Sequence, residues 1–174
     1  MSMIEALLQE LEQEAQTTRR VLERVPADRL AWKPHDRSMS LGQLALHVAT
    51  VPGAIAEISG QSPFPLPTFD QPSPTSAAEL VPALDQSIAK ARQILGGMND
   101  AMLANTWRAV DGDREIMAIP VGALLRSIML KHWYHHRGQL AMYLRQVGAQ
   151  VPSIYGPSAD ENPFAARAAA AVPV

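Results

Sequence analysis

The sequence predicts an all-α protein, an antiparallel four-helix bundle with a long crossover between helices 2 and 3. Three observations carry this. Four long segments space their apolar residues at the helical period. Three of the four open on a capping-box pattern. A proline-rich stretch divides them into two pairs, as one long crossover in a bundle would.

The first helix is expected from about residue 2 to 24. Ser2 with Glu5 forms the box, and Ile4, Leu7, Leu8, Leu11, Ala15 and Leu22 make one apolar stripe. Val25-Pro26 ends it, because the residue before proline avoids the helical region. The second opens at Ser40 with Gln43 and runs to about Ile58. Pro52 lies inside it, removes a hydrogen bond to the carbonyl of Val48 and is expected to kink it. Pro63, Pro65, Pro67, Pro72 and Pro74 make the crossover extended. The third helix starts at Ser76, with Glu79 in the box, and fades near Gly96-Gly97. Between Trp107 and Ile119 the turn signal Asp111-Gly112-Asp113 separates two short runs, a weak hairpin pattern. Pro120 suits the first turn of the fourth helix, which runs to about Val147 and stops at Gly148. Residues 1–164 are read as a single bundle domain and 165–174 as an alanine-rich tail.

The net charge is -2 and no block of Lys or Arg stands out. The footprint of a phosphate-backbone binder is therefore missing, and nucleic acid is not an expected partner. The absence of cysteine excludes a disulfide framework, thiolate metal ligands and a Cys nucleophile. The N-terminus carries acids where a signal peptide carries bases. No run was expected to match the ~20 apolar residues of a membrane span. A cytoplasmic protein with no membrane partner is the resulting expectation.

The fourth helix holds the chemistry. At about 100° per residue, Val121, Leu125, Ile128, His132, His136, Gln139 and Tyr143 share one stripe, with Arg126, Lys131, Arg137 and Arg145 off it. That stripe is expected to be the buried face. Burying two imidazoles and an amide costs about 1–3 kcal/mol each if they are unpaired, so something must satisfy them. His132 and His136 stand at i and i+4, one above the other, where both can reach one metal at about 2.0–2.1 Å. His47, on the apolar face of the second helix, is the third candidate ligand. The bland alternative is three hydrogen-bonded core histidines, as for most buried polar groups. Convergence of an HxxxH pair with an independent core-facing His favours metal.

Other metal motifs fail on the same residues. The HExxH pattern of zinc proteases needs Glu at 133, where Trp133 stands. A di-iron bundle needs Glu three residues before a ligand His, but Met129 and Trp133 occupy those positions. A mononuclear three-His site with open positions remains, the pattern of a catalytic metal.

The segments LGQLALHVA (41–49), HWYHHRGQL (132–140) and YGPS (155–158) together resemble the DinB-like superfamily, from the first helix to about Pro157. This resemblance implies a four-helix bundle whose triad, His47, His132 and His136 by position, binds one divalent transition metal, often nickel or zinc. It also implies a frequent homodimer and kinship with metal-dependent thiol S-transferases. A small-molecule substrate, with a low-molecular-weight thiol as partner, follows from that kinship. Metal-dependent hydrolysis and a non-catalytic, stress-related metal site are the alternatives.

The surrounding residues have milder readings. Gln43 and Gln139 lie within a turn of the proposed ligands and are expected to orient imidazoles, although helix capping also explains Gln43. His135 points about 60° to one side of His132 and reads as a pocket-wall residue. Tyr155 and Asp160 could fold over the bundle mouth or lie on a surface loop. Arg137 and Gly138, off the stripe, suit packing or a dimer contact, Trp32, Trp107 and Trp133 suit core or interface, and His35 suits a solvated loop.

Overall fold

The computed structural model describes residues 1–68 and 71–165; the tail beyond Ala165 lies outside the described residues. Three long helices come first in the bundle: α1 (Met3–Leu22), α2 (Leu41–Ser59) and α3 (Leu80–Gly96). A short α4 (Asp100–Leu103) follows. The last long rod is composite: α5 (Val121–Leu124), a π-helical segment (Leu125–Lys131) and α6 (His132–Gln146). The capping boxes at Ser2 and Ser40 form as read, with Glu5 and Gln43 as reciprocal partners. Ser76 and Glu79 cap a 3-10 turn (Ala77–Glu79) that leads into α3. The α1 stripe is buried as expected at Ile4, Leu7, Leu11, Ala15 and Leu22.

The all-α reading needs correction. A three-stranded mixed sheet sits beside the helices, in the order β1 (Phe64–Pro65), β2 (Thr106–Asp111), β3 (Arg114–Pro120). β2 and β3 pair antiparallel, and β1 adds parallel to β2 from within the crossover. The weak hairpin pattern was thus the correct signal. Gly112, at φ 58°, supplies the positive φ that a type II′ turn requires at its first central position. Trp107 pins the sheet to the bundle by donating its indole N–H to the carbonyl of Ile58 at 2.9 Å. The fold is therefore mostly helical, with a small mixed sheet attached.

α2 runs unbroken through Pro52. The carbonyl of Val48, which Pro52 cannot bond, accepts the indole N–H of Trp133, and α3 packs against the next turn. The Ser87 hydroxyl accepts the N–H of Gly53 at 2.8 Å and donates to the carbonyl of Thr50 at 3.0 Å. Gly53 permits that approach, since a Cβ there would lie 2.8 Å from the carbonyl oxygen of Ser87. By length and composition α2 could cross a membrane, with 19 residues and a mean hydropathy of 1.3; the sequence reading had expected no such stretch. In the fold, 56% of that window is buried inside the protein, which accounts for its apolarity.

The fourth rod departs from a uniform helix. The positions expected on its buried face were 132, 136, 139 and 143, but the buried residues are Trp133, Arg137, Leu140 and Leu144. Each is one position later. A π turn closes i→i+5 bonds and so takes one extra residue, which delays the helical phase by one residue beyond it. Upstream of the insertion, Val121 and Leu125 are buried as read. The insertion turns Trp133 and Arg137 into the core and rolls His132 and His136 to its edge.

Candidate metal centre

Two helices, α2 and α6, deliver three imidazoles to one point. His47 comes from α2 one turn before Pro52. His132 is the first residue after the π segment, and His136 follows one turn later on α6. All three are half-buried, and their candidate ligand atoms lie within 4.8 Å of one another. The Nε2 atoms of His47 and His132 are 3.1 Å apart. Ring centroids stand 5.2 Å apart for His47–His132, 4.6 Å for His47–His136 and 4.3 Å for His132–His136, with every pair of planes near perpendicular.

This geometry fits a single cation. Two nitrogens 3.1 Å apart, each about 2.05 Å from a metal, subtend about 98° at it, between octahedral and tetrahedral values. The side-chain oxygen of Gln139 lies 2.7 Å from Nδ1 of His136. A carbonyl oxygen accepts only, so Nδ1 carries the proton and Nε2 keeps its lone pair for a ligand bond. Three His residues could therefore hold a metal ion.

Electrostatics favour the neutral, ligating form. Burial, reinforced by His136 and His132, lowers the His47 pKa from its ordinary 6.5 to about 4. Burial is also the first cause lowering His132, with His135 adding to it. In His136 burial and then His132 outweigh the Gln139 hydrogen bond, which acts in the opposite direction. Cationic imidazoles are disfavoured where neutral nitrogen donors are needed.

The other expected residues divide. Gln139 touches the triad, as above. His135 is exposed, its ring centroid 5.1 Å from that of His136. Gln43 caps α2 through Ser40 and donates to the carbonyl of Gln71 at 2.8 Å, tying the crossover down. The Tyr155 hydroxyl meets Arg137 at 2.5 Å and Glu14 at 3.1 Å, so its hydrogen bonds run to α1 and α6. Asp160 pairs with Arg145 and accepts from the backbone of Val151. His35 is an exposed loop residue whose Nδ1 accepts from the backbone of Arg37.

Trp133 is the core aromatic expected, whereas Arg137, expected off the buried stripe, is buried. Arg137 is 1% exposed, ion-paired to Glu14 at 2.5 Å and bonded to Thr18 at 3.1 Å. It anchors α6 on α1. Trp133 is fully buried and donates its indole N–H to the carbonyl of Val48 at 2.7 Å. The signal that would have found Arg137 is the one-residue slip of the apolar pattern across residues 125–131, with Leu140 and Leu144 continuing from Trp133 instead of His132.

Comparison with known proteins places this geometry in a family. The chain is 29% identical over 159 residues to an uncharacterised protein, YrdA, of Bacillus subtilis, covering 91% of each. It superposes on the crystal structure of a DinB-like protein from Bacillus cereus with a TM-score of 0.66 and 27% identity, over 87% of this chain and 97% of that one. A DinB-like protein of Bacillus subtilis shares the fold at 21% identity, with a TM-score of 0.63 and coverage of 83% and 93%. The DinB family profile matches residues 1–165. The chain belongs to the DinB family.

Proposed function

We propose that this protein is a metal-dependent enzyme in which His47, His132 and His136 hold one divalent transition metal, nickel or zinc, and a small thiol is activated there for S-transfer. The observation that carries the reading is the 3.1 Å approach of two Nε2 atoms beside a third imidazole, with no carboxylate joining the group among the described residues. A three-ligand site leaves positions open, which distinguishes catalytic from structural sites. A metal bound there would lower the pKa of a coordinated thiol and supply a thiolate near neutral pH. The chain's own residues do the rest. The three imidazoles stay neutral, Gln139 fixes the orientation of His136, and Trp133 locks α6 against α2 at the level of the ligands. A chain without cysteine must take its thiol from a cosubstrate.

The test is to load the purified protein with nickel or zinc and assay a panel of low-molecular-weight thiols against an electrophilic acceptor. Metal-dependent thioether formation is expected, and no turnover with any thiol would refute S-transfer. The position of His135 beside His136 supports hydrolysis as a second reading, because it offers a general base. Substituting His135 would abolish hydrolysis and spare thiol transfer. A metal serving only as a structural plug would instead unfold the domain on chelation.

A further inference from the structure

An apolar chamber of about 420 Å³ lies between α2, the π segment and the sheet. Its helical wall includes Ile55, Ile58 and Ile128, and its sheet wall includes Trp107, Ile116 and Met117. Two registers connect it to the histidines. Ile128 precedes His132 by four residues on the fourth rod, and Ile55 follows His47 by eight on α2, so the chamber begins about one to two helical turns from the triad. The lining presents no polar surface and includes none of the three histidines.

The sheet is shaped for this. Ala109 pairs with Met117, but the next residue, Val110, pairs with Glu115, leaving Ile116 as an extra residue in β3. Such a bulge re-aims side chains. Strict alternation would send Ile116 and Met117 to opposite faces, yet both line the chamber. Each also remains about 40% exposed (42% and 38%), so the wall is open to an entering molecule.

We infer that this chamber holds the hydrocarbon body of a small substrate whose reactive end lies at His47, His132 and His136. The inference rests on the metal-site reading and names its substrate class. The volume falls in the range of small-molecule sites, which are concave, mostly apolar and carry a few convergent polar groups. The short register offset from Ile128 to His132 and from Ile55 to His47 favours a small molecule that spans both over a second protein copy, which would cover the chamber without using the histidines.

The experiment uses the full-length, metal-loaded protein and a series of straight-chain alkyl hydroxamates, whose head group chelates divalent metals. Affinity by calorimetry is expected to rise about fourfold per methylene until the chamber is full. Ile116→Glu and Met117→Glu, on the exposed hairpin, should flatten that rise and leave acetohydroxamate binding unchanged. Normal acetohydroxamate binding with no dependence on chain length overturns the chamber and leaves the metal site standing. In chelated protein, straight-chain alkanols are titrated against the methyl resonance of Met117. A length-dependent shift there, with no hydroxamate binding in loaded protein, removes the link to the triad and overturns the inference. Dimerisation in sedimentation that Met117→Glu abolishes would assign the chamber to a second copy and also overturns it.

Discussion

The indole N–H of Trp133 donates to the backbone carbonyl of Val48 at 2.7 Å, one residue along from the pair His132 and His47, whose Nε2 atoms stand 3.1 Å apart. Two consecutive residues of α6 thus meet two consecutive residues of α2, one pair in the core and one at its edge. The buried bond sets the spacing of the half-buried pair. Trp133→Phe removes the donor and leaves a buried carbonyl unpaired, at a cost of about 1–3 kcal/mol. Urea melts should show that loss in metal-free protein, and metal affinity should fall as well. Unchanged affinity would mean that the ligands hold their spacing without the brace.

The triad itself is tested by subtraction. Purified protein is expected to contain about one transition metal per chain by elemental analysis, and His47→Ala or His132→Ala should reduce this to near zero. Both side chains are half-buried at the edge of the core, so the variants should keep their helical circular dichroism. Metal missing from the wild type as well would refute the site.

Gln139 acts through His136. Its side-chain oxygen, 2.7 Å from Nδ1, holds the tautomer that leaves Nε2 free. Removing such a partner typically lowers metal affinity 10–100-fold. Gln139→Ala should show that loss in a chelator competition, and Gln139→Glu, which still accepts from Nδ1–H, should restore binding. Equal affinity in all three proteins would show that the ring needs no orienting partner.

The convergence of the three histidines was largely legible in the sequence because its signal is local. An HxxxH pair keeps its i, i+4 relation whatever the helix does upstream, and His47 sits on an uninterrupted apolar face of α2. The burial of that pair was not legible. Leu125 to Lys131 carry no glycine or proline to announce a π segment, so a uniform pitch places each buried position beyond it one residue early. Arg137 shows the consequence: read as lying off the buried face, it is the ion-paired centre of the α1–α6 contact. The sheet was half legible. Asp111-Gly112-Asp113 announces its turn, but β1 lies in a proline-rich crossover whose parallel pairing with β2 depends on tertiary contact alone.

Acid should destabilise the metal-free protein through His47. Above pH 6.5 its imidazole is neutral in both the folded and the unfolded chain and contributes nothing. As pH falls below 6.5 the unfolded chain takes up a proton that the folded one refuses until about pH 4. Stability therefore declines between these values and this group adds no further loss below them. The lowered values of His132 and His136 act in the same direction. Urea melts of chelated protein across this window should show the slope, and His47→Gln should flatten it. A slope unaffected by that substitution would assign the acid sensitivity to other groups.

Ser87 ties α3 to α2 beside Pro52. Proline cannot donate, and the Gly53 N–H beside it is bonded to the hydroxyl of Ser87, which in turn donates to the carbonyl of Thr50. The Thr50 and Gly53 backbone atoms lie within two turns of His47 on α2. Ser87→Ala leaves a buried donor unsatisfied and should cost about 1–3 kcal/mol. Gly53→Ala should cost a similar amount by a different route, since its Cβ would meet the backbone of Ser87 at 2.8 Å and force α2 and α3 apart. The two can be separated by combining them. Because both act on one contact, the double variant should lose less stability than the sum of the singles. Additive losses in denaturant melts would show that the hydroxyl and the close approach are independent.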